Sequence, residues 1–187
     1  MKYQQILKVA IVSTLFIASG QVFADSHALK MEAKKIIKEY VSTLQPALKK
    51  ALNEGGAAHA VEVCTTKSPE INQSLSKKTG WNITRVSLKT RNPDAKPDAF
   101  EQKVLEDFDR RQAAGEDPVK MMHAQKVGNK FRVLKAMGVA GLCLTCHGEK
   151  VEPKVKAMLK KYYPNDKALG YSIGQIRGAI SLSKTLK

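Results

Sequence analysis

Five residues constrain this chain more than any other stretch: Cys143-Leu144-Thr145-Cys146-His147. Two thiols at this spacing, followed at once by an imidazole, can add to the two vinyl groups of one haem while the histidine reaches the iron, so attachment and ligation share one motif. The fold must then admit a flat ring. Two other chemistries use C-x-x-C. A thioredoxin-like dithiol wants a strand before it and a helix after it, and half of a zinc site needs two more ligands at matching spacing. No second C-x-x-C occurs in the chain. The motif therefore predicts one covalent haem c on Cys143 and Cys146, with His147 as an axial iron ligand.

The N-terminus agrees with that chemistry. Met1 to Ala24 has a basic start (Lys2, Lys8), an apolar run from Val9 to Ala18 and a small-residue ending at Val22-Phe23-Ala24, the pattern of a secretory signal peptide cleaved after Ala24. The alternative is an uncleaved anchor, but the apolar run is shorter than the ~20 residues a membrane span needs, and no later segment comes closer. No cysteine follows the expected cut to carry a lipid. Asp25 to Lys187 is then expected to be a soluble periplasmic protein of one domain, with no transmembrane segment. Haem attachment of this kind occurs outside the cytoplasm, so leader and motif support each other.

Charge narrows the partners. The chain has 32 basic and 17 acidic residues, and removing Lys2 and Lys8 from its formal +15 leaves +13 on the mature part. An exported chain of that charge meets acidic proteins and anionic lipid headgroups rather than nucleic acid. An acidic redox partner or an anionic membrane surface is expected. The lysines are spread along the chain, so the plainer alternative is a solvated basic surface.

Apolar residues at Leu29, Ala33, Ile36, Ile37, Tyr40, Val41, Leu44, Leu48 and Leu52 have the three-and-four spacing of a long amphipathic helix, bent at Pro46 and stopped at Gly55-Gly56. A second helix is expected from Ala57 to Cys64, and a third from Ser68-Pro69-Glu70 to Thr79-Gly80 with Ser68 as its cap. Trp81 to Leu88 reads as a strand, Asp98 caps a further helix, and Val119 to Ala124 and Lys130 to Ala136 flank Gly128-Asn129 as a hairpin. After the motif, Pro153 opens a short helix through Lys161, Pro164-Asn165-Asp166 ends it, and Ile176 to Ser183 alternates as a last strand. The fold class is α+β, helices around a small antiparallel sheet. No internal repeat or low-complexity segment interrupts it.

The motif leaves the second axial ligand open. Candidates are Cys64, His59, His123 and the methionines Met121, Met122, Met137 and Met158. At ~100° per residue Cys64 shares a helix face with Ala57, Ala60 and Val61, small residues that let a flat ring approach, whereas His59 points away with Glu62 and Val63. The competing reading of Cys64 is an inert buried cysteine.

Several segments taken together carry a resemblance: Val63-Cys64 followed by Ser68-Pro69-Glu70-Ile71, Ser87-Leu88-Lys89 with Arg91-Asn92-Pro93, Cys143 to Gly148, and Gly170-Tyr171 with Gly174, Arg177-Gly178 and Ile180-Ser181. In these the chain resembles the single-haem c-type cytochromes with a PAS-like fold, long catalogued as a domain of unknown function. The resemblance covers nearly the whole mature chain. It implies a long N-terminal helix over a PAS-like antiparallel sheet, and iron held by the motif histidine and a cysteine, which map onto His147 and Cys64. Arg85, Arg91 and Arg177 lie in the family-like segments, and their guanidinium groups suit the two haem propionates.

The expected function is one-electron transfer at low potential, because an anionic thiolate from Cys64 favours ferric iron. The alternative is a haem-based redox or gas sensor for CO or NO, in which the thiolate protonates and leaves on reduction. The family also supplies sensing parts of membrane receptors, a form this chain departs from. A catalyst is not expected, since no distal acid-base pair is identifiable. If Cys64 were removed, water, His123 or Met122 would be expected to take its place at the iron.

Overall fold

The computed structural model describes the backbone of residues 6–186 and the side chains of residues 25–186. The expected leader, Met1 to Ala24, lies outside the residues whose side chains are described. Among the described residues no helix is long and apolar enough to cross a membrane.

Helix α1 (Ile6–Thr79) is broken once, at Gly55 (φ −148°, ψ 16°) and Gly56 (φ 70°, ψ −169°). The expected stop is therefore a reversal. Gly56 takes a left-handed φ that a side chain disfavours, and the chain folds back so that Ala33, Ile36, Ile37 and Tyr40 of the first arm share one core with Ile71 and Leu75 of the second. Lys78 reaches Glu39 across the two arms at 2.7 Å. The second arm differs from expectation: it runs unbroken through Pro69, with no boundary between Cys64 and Ser68. Ser68 is no cap, because its buried hydroxyl pairs with the Tyr40 hydroxyl at 3.2 Å. The turn before the proline is held by Thr65 and Thr66, whose hydroxyls donate back to the Glu62 and Val63 carbonyls.

Four antiparallel strands follow: β1 (Asn82–Val86), β2 (Met122–Val127), β3 (Lys130–Gly138) and β4 (Ile176–Thr185), in the order β1-β4-β3-β2. Val127 pairs with Lys130, so Gly128-Asn129 is the two-residue turn the sequence announced, with Gly128 at φ 58°. Two strand starts move. The amide of Val119 is taken by the Asp117 carboxylate (2.9 Å) and that of Met121 by the Pro118 carbonyl (3.1 Å), so β2 cannot begin before Met122. Trp81 donates to the Thr79 hydroxyl and Ser87 to the Ala95 carbonyl, which trims β1 at both ends.

Alternation gives the sheet two buried faces. Ile83, Phe131, Val133, Ile180 and Leu182 pack on the helical hairpin. Val86, Leu134, Ala136 and Ala179 pack on Val104, Leu105 and Phe108 of α2 (Ala99–Ala113). Asp98 and Glu101 start α2 with a reciprocal capping box, each side chain 2.9 Å from the other's amide. The molecule is thus α+β, a sheet between a long helical hairpin and one shorter helix.

β3 slips register between Met137 and Gly138, opposite Gly178. Gly178 has φ 153°, and a Cβ there would lie 2.3 Å from the Val86 carbonyl oxygen. Gly178→Ala is expected to cost about 2–5 kcal/mol, backbone strain adding to a clash the strand cannot relieve. Urea unfolding of Gly115→Ala isolates the clash, because Gly115 shares a positive φ (92°) and its strain but a Cβ there meets nothing within 4 Å; Gly178→Ala should be the less stable of the two.

Candidate functional site

The C-x-x-C-H motif sits where a 3₁₀ turn (Gly141–Cys143) runs into the single turn α3 (Leu144–His147). Positions i, i+3 and i+4 of a helical turn share a face, so Cys143, Cys146 and His147 look the same way. All three line one cavity of about 270 Å³. The chain leaves the turn at Gly148, where a Cβ would meet the Leu144 carbonyl oxygen at 2.7 Å. The motif is then clamped from outside: the Tyr171 amide donates to the His147 carbonyl at 2.9 Å and that of Gly170 to Gly148 at 3.2 Å.

One wall of the cavity is aliphatic. Leu44, Leu48 and Leu52 come from the first arm of α1, Ala60 and Val61 from the second, and Leu159 from α4 (Pro153–Tyr162). The other wall is basic and sulfur-bearing, with Cys64, Arg85, Arg91 and Arg177 beside the motif. The structure therefore gathers all seven residues singled out in the sequence, from five separate segments, around one space. Among the described residues no cluster of three or more His, Cys, Asp or Glu is placed to hold a bare metal ion, which leaves the zinc reading without ligands.

His147 is held as a neutral imidazole. Its Nδ1 lies 2.8 Å from the Ala168 carbonyl, which places the ring proton on Nδ1 and makes Nε2 the acceptor, with Arg91 Nη1 and Arg177 Nε each 3.5 Å from it. Burial, then the charges of Arg177 and Arg91, push its pKa down to about 3, so the imidazole is neutral at any ordinary pH. In that tautomer the 3.2 Å approach of Arg177 Nε to Nδ1 sets donor against donor and is contact rather than hydrogen bond. The His147 ring also meets Tyr171 edge-on at 6.2 Å.

Cys64 faces the cavity from the second arm, beside the fully buried Ala60 and Val61, as the helix projection requires. Burial raises its thiol pKa, while Arg85 and Arg91 pull the other way by favouring the thiolate. His59 is 40% exposed and turned to Glu62 at 3.9 Å. Of the other candidates only Met137 lines the cavity. Met121 is buried against α2, Met122 packs with the hairpin core, Met158 lies on α4 and packs in the cluster formed with Val61 of the second arm, and His123 meets Phe100 edge-on. The expectation that His123 or Met122 could replace Cys64 is thereby corrected. Strand alternation puts His123, opposite Leu134, on the α2 face, and Met122 lies beside Lys135, away from the motif.

The three arginines differ in what they hold. Arg91 pairs with Asp166 at 3.0 Å and donates to the Cys146 and Ala168 carbonyls at 2.5 and 3.3 Å. Arg177 donates to the Ser87 hydroxyl at 2.8 Å and the Lys89 carbonyl at 3.2 Å. Among the described residues the Arg85 guanidinium makes no hydrogen bond or ion pair and keeps its donors for the cavity. Asp166 and Ala168 were missed by sequence reasoning, which saw Pro164-Asn165-Asp166 only as a helix stop; an acid shortly after the motif was the available signal. With 12% and 8% of their side chains exposed, Arg91 and Asp166 form a buried pair. Arg91→Ala should cost about 3–5 kcal/mol because it strands the Asp166 charge. Asp166→Asn, the same shape without the charge, should cost less, and urea midpoints of the two variants decide it.

This donor set fits a haem: two thiols at vinyl spacing, one neutral imidazole nitrogen, a sulfur on an opposing helix, an aliphatic wall for the ring and an unspent guanidinium for its carboxylates. The Tll0287-like family model matches residues 18–184. The crystal structure of the cyanobacterial heme-protein Tll0287 superposes with a TM-score of 0.67 at 21% identity, over 84% of this chain and 95% of that one. No curated protein matches the chain in sequence.

Proposed function

The chain belongs to the Tll0287-like family, and from that premise we propose that it is an exported c-type cytochrome with one covalent haem, transferring single electrons at low potential. The observation that carries this reading is the convergence of Cys143, Cys146, His147 and Cys64 on one cavity. The haem supplies the one-electron couple. The protein would hold it by two thioethers from Cys143 and Cys146, with His147 Nε2 and the Cys64 sulfur as iron ligands and Arg85 available for the propionates. An anionic sulfur ligand lowers the potential by favouring ferric iron. Among the described residues no carboxylate lines the cavity to complete an acid-base pair, which supports transfer rather than catalysis.

In this reading Met1 to Ala24 is removed on export, and residues 25–187 form one PAS-like haem domain in the periplasm. The first and last strands side by side, with the β2-β3 hairpin completing the sheet, support that description. The charge of +13 serves an acidic redox partner or an anionic membrane face.

Intact-mass measurement after expression with a haem-attachment system tests the proposal. The expected mass is that of residues 25–187 plus one haem; bare polypeptide overturns it. A sensing role is favoured by one observation, the burial that raises the Cys64 pKa and so eases its release as a neutral thiol. Carbon monoxide added to dithionite-reduced protein separates the two, because rapid binding requires an open position and electron transfer does not.

A further inference from the structure

Away from the cavity, the strongest unassigned feature is a groove of about 670 Å³ between the first arm of α1 and the start of β2. Lys30, Lys34 and Lys38 follow one another at four-residue spacing along its helical wall, all exposed. Lys120 closes it from the opposite side. The floor is apolar, formed by Ile37, Val41 and Met122.

Among the described residues Lys30, Lys34, Lys38 and Lys120 form no salt bridge, although Glu116 lies near enough to Lys120 to feel its charge. The two acids of the same helical stretch are used elsewhere, Glu32 by Lys184 at 3.0 Å and Glu39 by Lys78 at 2.7 Å. Near Lys120, Glu116 is held by Arg111 at 2.5 Å, and the Asp117 carboxylate accepts the Val119 amide. Among the described residues no acid lines the groove. Lys135, at its inner edge, is spent on the Pro118, Val119 and Met121 carbonyls and fixes the shape rather than a partner.

Position gives the groove a use. Lys135 in the groove and Met137 in the cavity are successive residues on one face of β3, roughly 7 Å apart by strand geometry. Val41 in the groove and Leu44 in the cavity are one helical turn apart on α1. Groove and cavity therefore share a wall.

We propose that this groove is the docking site for an acidic segment of a redox partner protein, with carboxylates on Lys30, Lys34, Lys38 and Lys120 and apolar side chains on the floor between them. Docking there sets the partner against the wall of the haem cavity. A concave site with lysines on both walls admits a protruding segment and excludes a flat bilayer. The inference rests on the electron-transfer reading, whose failure shows separately as missing haem mass or rapid carbon monoxide binding.

The probe is a fluorescent ten-residue peptide alternating glutamate and valine, titrated into the holoprotein at low ionic strength. The triple variant Lys30→Glu/Lys34→Glu/Lys38→Glu should bind it at least about tenfold more weakly, whereas Lys154→Glu/Lys156→Glu/Lys160→Glu on α4, with the same change in net charge, should lose less than about threefold. Equal losses in both triples mean that only net charge matters, and no binding by the parent means that the groove takes no acidic segment. Either result overturns the proposal. So does a groove triple that abolishes binding to phosphatidylglycerol vesicles while leaving peptide binding intact. If the glutamate triple lacks the parent's far-ultraviolet circular dichroism, the triple to glutamine carries the same test with the same expected ranking.

Discussion

Cys64→Ala should change the ferric electron paramagnetic resonance spectrum outright, from a low-spin signal with a sulfur ligand to a high-spin signal or a new low-spin pair. Cys64 faces the cavity from the helix arm opposite the motif, and Met137 is the one alternative donor from the candidate set that lines the same space. Water in the vacated position gives the high-spin result, and Met137 gives the new low-spin pair. Cys64→Met exchanges an anionic donor for a neutral thioether, which stabilises ferric iron less. The reduction potential should then rise by on the order of 0.1 V, a fraction of the ~0.8 V that axial ligands span. An inert core cysteine behaves differently, losing about 1 kcal/mol of stability with spectrum and potential unmoved. An unaltered resonance signal in Cys64→Ala removes it from the coordination sphere.

The double substitution Cys143→Ser/Cys146→Ser should abolish covalent attachment. His147, its Ala168 carbonyl partner and the aliphatic wall all persist in that variant, so haem can still bind, but as a dissociable ligand whose occupancy depends on its concentration. After denaturing electrophoresis the haem stain should fall below about a tenth of the parent's, whereas each single substitution leaves one thioether and retains the stain in part. His147→Ala is the complementary case, since both thiols remain. Its product should keep the added mass and lose the parent's low-spin spectrum. Full haem stain in the double variant would mean that the pair does not make the thioethers.

Much of the molecule is readable from local pattern. The three-and-four spacing from Leu29 to Leu52, the Asp98–Glu101 box and the Gly128-Asn129 turn are short-range signals, and each appears where its chemistry requires. Errors fall where a distant partner outweighs local preference. Ser68 reads as a cap until Tyr40, 28 residues earlier, takes its hydroxyl. Val119 reads as strand until the Asp117-Pro118 turn takes the amides beside it.

The site divides the same way. Cys143, Cys146 and His147 stand out in the sequence because the C-x-x-C-H pattern is contiguous, and a helix face was enough to aim Cys64 at the cavity they line. The sequence by itself thus determined the helix-and-sheet class, the motif and the small-residue face that carries Cys64. Only the tertiary structure decided that α1 reverses at Gly55-Gly56 and carries Cys64 over to the motif. It also decided that Ala168 orients His147, and that Arg91 is committed to Asp166 while Arg85 stays free. These depend on contacts between residues 21 to about 80 positions apart, and no periodicity or spacing rule reaches that far, because such contacts are set by the packing of whole elements.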